Sequence, residues 1–70
     1  MFTSDTSREM VRDYRREHGD RATVEWLRLL GAPVTLIAQA MRDIGFTGTS
    51  ATIKRWVLDM DRPGWKPSAK

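Results

Sequence analysis

Apolar side chains recur at helical spacing along most of this chain, and glycine, proline and hydroxyl residues cut the pattern into four stretches. The first stripe is thin, Met10, Val11 and Tyr14, on a segment where arginines and acidic residues alternate as on a solvated helix. Thr6 stands three residues before Glu9, the capping-box spacing. A helix is therefore expected over residues 6–18, ended by Gly19, with residues 1–5 frayed. A second helix is expected over residues 20–31, with Asp20 as its N-cap and Gly31 closing it. Val24, Leu27 and Leu30 lie toward one side of it, Ala22, Trp26 and Leu29 toward another. Only Arg21, Glu25 and Arg28 make a polar stripe. A helix this apolar has two faces to bury.

Residues 33–60 carry the sharpest pattern. Pro33 suits a first helical position, where its missing N–H would be unpaired in any case. Ile37, Ala40, Met41 and Ile44 share one face, with Val34 at its margin, and Thr35, Gln39 and Arg42 fall opposite. Gly45 suits a C-terminal cap with positive φ. In the turn Gly45-Phe46-Thr47-Gly48-Thr49, Phe46 is expected to plug the core beneath the corner. Thr49 and Ser50 offer side-chain oxygens to the free N–H groups of a fourth helix. Its inner face is Ile53, Trp56, Val57 and Met60; its outer face is Ala51, Arg55, Leu58 and Arg62, with Lys54 beside them. Pro63, Gly64 and Pro67 then stop the helix, leaving residues 61–70 as a basic tail. No stretch alternates with a period of two. The pattern is that of one all-α domain over residues 1–70, with four short helices and no sheet.

A surface helix has a polar face anyway. A glycine turn, a hydroxyl N-terminus and then Lys54-Arg55 one turn in is more specific: it marks a helix-turn-helix whose second helix meets base edges. The segment Asp43-Ile44-Gly45-Phe46-Thr47-Gly48-Thr49-Ser50-Ala51-Thr52-Ile53-Lys54-Arg55-Trp56-Val57 resembles the helix-turn-helix of one family of insertion-sequence transposases. Those carry a similar Gly-aromatic-Thr-Gly turn before a Ser/Thr-x-x-Arg-aromatic helix. More loosely, it is similar to the homeodomain-like three-helix class of phage and bacterial regulators. The resemblance implies a homeodomain-like three-helix core with one added N-terminal helix. It also implies a transcriptional regulator, such as a repressor, encoded by a phage or mobile element. It is confined to the DNA-contact segment, so none of the transposase catalytic chemistry carries over.

Charge strengthens that expectation. The net charge is +3, and residues 1–31 contribute none of it, holding equal numbers of arginine and acidic residues. Residues 32–70 hold Arg42, Lys54, Arg55, Arg62, Lys66 and Lys70 against Asp43, Asp59 and Asp61. The excess lies with the expected reading head, as a polyanion partner requires. The chain has no cysteine and one histidine, His18, so neither a disulfide nor the usual zinc site is available. Nucleophilic Cys–His chemistry is excluded, and the carboxylates sit at ion-pairing distances from arginines. Gly45 and Gly48 match no nucleotide fingerprint. No enzyme activity, metal, cofactor or small-molecule ligand is expected. No apolar run approaches the roughly 20 residues that span a bilayer, and no signal peptide is visible. The chain reads as cytoplasmic and off the membrane.

The expected partner is double-stranded DNA, read by residues 50–55. Arg55 suits guanine O6 and N7 through two N–H groups, with Lys54 beside it. Ser50 and Thr52 suit bases or phosphates, and Ala51 a thymine methyl. Thr49 and Ser50 at the helix start suit a phosphate or plain capping, and the two roles are compatible. Gln39 and Arg42 suit backbone phosphates. A chain of this length leaves much of its surface uncovered, and small scaffolds often gain stability by oligomerising. Ala22, Trp26 and Leu29 are the expected face of a symmetric homodimer. Cover from Met10, Val11 and Tyr14 is the in-chain alternative. Trp65 either folds back on the core or anchors a partner. The alternative function is a protein-interaction module, gripping a partner such as a polymerase subunit and using the helix-turn-helix as scaffold.

Overall fold

The computed structural model describes residues 4–68, and their side chains from residue 8 onward. Four helices follow one another: α1 Ser4–His18, α2 Asp20–Leu29, α3 Val34–Asp43 and α4 Ser50–Met60. No strand occurs among the described residues, so the all-α class holds. No helix is long and apolar enough to cross a membrane.

The boundaries differ from expectation where capping decides them. α1 begins at Ser4, ahead of Thr6, so Thr6 lies inside the helix and cannot cap it. Of the residues expected to fray, Ser4 and Asp5 are helical and the first three fall outside the described residues. Gly19, not Asp20, is the N-cap of α2; its carbonyl accepts from the Thr23 N–H and the Thr23 hydroxyl, at 3.1 and 2.7 Å. Asp20 is instead the first helical residue and pairs with Arg15, which also suits a carboxylate to the positive end of the helix dipole. Pro33 is the N-cap of α3 rather than its first residue.

α2 is the hub. It packs against α1, α3 and α4, while α1 reaches α2 and α3 but not α4. This explains its wide apolar girth: Val24 and Leu27 are fully buried with Ile37, Met41 and Ile53, and Val11 of α1 joins the same core. α1 supplies cover for the second apolar face of α2. Ala22 is 3% exposed, and the rings of Tyr14 and Trp26 stack with centroids 4.3 Å apart. The narrow α1 stripe thus covers more than its width promised, because one aromatic ring lies flat on another. Met10 is the exception within that stripe and faces solvent.

Glu25 is the main departure from the sequence pattern. It was expected on a polar stripe, yet it is 2% exposed. Its carboxylate accepts from the Ser68 N–H at 2.8 Å, the Ser68 hydroxyl at 3.1 Å, the Trp65 indole N–H at 3.4 Å and Arg21 at 3.4 Å. A buried carboxylate is tolerated only when so supplied with donors. The tail is therefore a strap laid back on Glu25 of α2, with Trp65 half-buried and folded back on its own chain.

Candidate nucleic-acid interface

The corner between α3 and α4 is built by its glycines. Gly45 has φ 98°, and its N–H bonds to the Arg42 carbonyl at 3.1 Å while the Phe46 N–H bonds to the Met41 carbonyl at 2.9 Å. That pair of bonds is the Schellman arrangement, which turns the chain sharply and satisfies carbonyls at the helix end. The remaining Ile44 carbonyl accepts from Arg15 of α1 at 3.1 Å, tying the N-terminal helix to the corner. Phe46 then packs beside Trp56, with centroids 6.0 Å apart, and against the core. Its ring lies so close over Gly48 that a Cβ there would sit 2.4 Å from the ring. The corner thus needs glycine twice, for a backbone angle and for space.

Thr49 is the N-cap of α4, its hydroxyl accepting from the Thr52 N–H at 3.4 Å. Ile53 and Val57 anchor the inner face, with Trp56 and Met60 half-buried beside them. The outer face presents Ala51, Lys54, Arg55 and Leu58 to solvent.

Four of the eight sequence-derived contact residues line one concavity of ≈ 450 Å³ between α3 and α4. Gln39 and Arg42 come from α3, Ser50 and Lys54 from α4, and Val34, Thr35 and Ala38 complete the wall. Ala51 and Arg55 stand exposed on the adjoining outer face of α4. Thr49 faces its own helix start as a cap. Thr52 lies apart from the rest. It is half-buried, its hydroxyl is 3.4 Å from that of Thr49, and it sits about 160° round the helix from Lys54. Thr35 and Ala38 were not among the expected contacts, although the period of α3 already set Thr35 beside Gln39 and Arg42.

The electrostatics of this surface are one-sided. Among the described residues, Arg42, Lys54 and Arg55 have no carboxylate within 4.0 Å. The acids nearest them in sequence are engaged elsewhere: Asp43 pairs with Arg8 at 3.8 Å, and Asp59 with Arg21 at 3.1 Å and Arg62 at 3.4 Å. Arg42 and Lys54 at the cleft and Arg55 on the adjoining face, without a carboxylate partner among the described residues, make a surface of positive potential.

Of the three expected dimer residues, only Leu29 remains open, at 63% exposed. Ala22 is buried inside the chain, and Trp26 is half-buried with its ring stacked on Tyr14. Leu30 and Met10 are exposed as well. Comparison with protein-family models, curated proteins and solved structures returns no match.

Proposed function

We propose that this protein is a sequence-specific duplex-DNA-binding transcriptional regulator that sets α4 into the major groove. The observation that carries this reading is a set of three cations without a carboxylate partner among the described residues: Arg42 of α3 and Lys54 of α4 lining one cleft, and Arg55 on the adjoining face of α4, a helix opened by a threonine cap. Arg42, Gln39 and Ser50 hold backbone phosphates at the cleft, and they orient the domain without reading sequence. Arg55 and Ala51 face base edges, Arg55 toward guanine. Lys54 lies at the boundary and serves the near phosphate. The role fits a regulator of phage or mobile-element type, acting in the cytoplasm on DNA.

The test is binding of the full chain to a random duplex pool at graded salt, followed by selection of bound sites. Log affinity should fall linearly with log salt, by about 0.9 per phosphate neutralised. Salt-independent or absent binding rejects the reading. A palindromic selected site would indicate a symmetric homodimer, with Leu29 and Leu30 the open apolar side chains of this region and Trp26 half-open beside them. Sedimentation at micromolar concentration measures this directly, and a single 8.1 kDa species would exclude the dimer.

A second reading, a protein-interaction module, has one observation in its favour. Met10, Leu29 and Leu30 are exposed near the Tyr14–Trp26 stack. Stable complex formation with a protein, without retention on DNA, would favour it.

A further inference from the structure

We propose that Leu58 is a base-reading residue, its side chain covering the C5-methyl group of a thymine in the bound duplex. The inference rests on the DNA-binding reading above and adds a specificity determinant to it. Among the described residues, Leu58 is the most exposed of the large hydrophobic side chains, at 66%. A single exposed leucine is ordinary on a protein surface. Its register is what singles this one out. At about 100° per residue, Leu58 lies within about 20° of Ala51, two turns further along α4. Lys54 and Arg55 flank that line on either side, and neither has a carboxylate partner among the described residues.

The flanking charge selects the occupant. A protein partner seated on Leu58 would cover both cations beside it, and stripping water from unpaired charges is costly. A duplex supplies anionic and acceptor groups for both cations. On the floor of its major groove, the apolar group it offers is the thymine methyl. Seven residues of helix rise cover about 10 Å, which is about three base steps at roughly 3.4 Å each. Ala51 and Leu58 therefore address positions at most about three pairs apart, with Arg55 between them.

The experiment uses duplexes selected from the random pool by the full chain. Each thymine is replaced in turn by deoxyuridine, which removes only the methyl group, and binding is measured for the unmodified protein, Leu58→Ala and Ala51→Gly. One thymine should show a loss of about fourfold with the unmodified protein, the weight of one methyl group taken from water. That loss should disappear in Leu58→Ala and persist in Ala51→Gly. Circular dichroism and the thermal midpoint of Leu58→Ala should match the parent, since the side chain supports no core contact. A flat scan overturns the assignment while leaving DNA binding intact, as does a methyl effect unchanged by Leu58→Ala. Absence of any salt-dependent duplex binding overturns the DNA reading and this assignment together.

Discussion

On the face formed by α2 and the tail, the charges around Glu25 and Asp59 are answered within the chain, while Arg28, Asp61 and Lys66 have no ion-pair partner among the described residues. Arg21 reaches Glu25 and Asp59, Arg62 reaches Asp59, and Trp65 and Ser68 donate to Glu25. On the face formed by α3 and α4, Arg42, Lys54 and Arg55 have no such answer among the described residues. The residue types are the same, and the distances between opposite charges separate the two faces. A closed network fixes an element in place and offers nothing outward. An open cluster of like charge opposes compaction slightly through self-repulsion, and its field extends outward to a partner. Charge on a helix face is therefore informative about binding only after the internal pairs have been removed from the count.

The comparison can be broken at several points. The largest effect is expected where the two faces share support. Ile53→Ala removes a fully buried side chain beneath α4 and should cost about 2–5 kcal/mol of stability in denaturant unfolding. Glu25→Ala should come next. It orphans the tail donors and should cost about 2–3 kcal/mol, toward the low end because Arg21 keeps access to water. The folded fraction should still bind DNA with parent affinity, and a loss of affinity there would mean that the two faces are not separate. Arg55→Ala inverts the pattern. Stability should change by less than about 0.5 kcal/mol, while affinity for the selected site falls by about 1–3 kcal/mol with relaxed preference at one base pair. Unchanged affinity and preference would show that the outer face of α4 is misassigned. Arg42→Ala should have the mildest effect, weakening all sequences evenly and flattening the salt slope by about one.

The helices and the α3–α4 corner were legible because their signals are local. Gly45, Gly48 and Thr49 act within a few residues of themselves, and the period of Ile37, Met41, Ile53 and Val57 reports one buried face directly. The cleft residues Gln39, Arg42, Ser50 and Lys54 followed from that same period. Glu25 did not, because between Arg21 and Arg28 it has the spacing of a solvated ion-pair stripe. Arg21 does reach it, but its other donors lie 40 and 43 positions away. For Ala22 and Trp26 the sequence left the first helix and a second protomer as alternative covers, for a related reason. A stripe of three residues gives no sign that Tyr14 will lie flat on an indole. Asp20 shows a further limit, since a good capping residue next to a glycine left the choice of cap to the geometry of Arg15 and Thr23.

The strap on Glu25 also bears on the order of folding. Its bonds join residues 40 and 43 positions apart, and a contact that closes so long a loop carries an entropic cost that local turns avoid. The corner and the core of α2, α3 and α4 can form before it, which would place the strap on the native side of the folding barrier. Interactions made there slow escape from the native state without hastening arrival. In stopped-flow measurements, Ser68→Ala should raise the unfolding limb and leave the refolding limb in place. Residues 65–68 would thus help set how long each molecule stays folded.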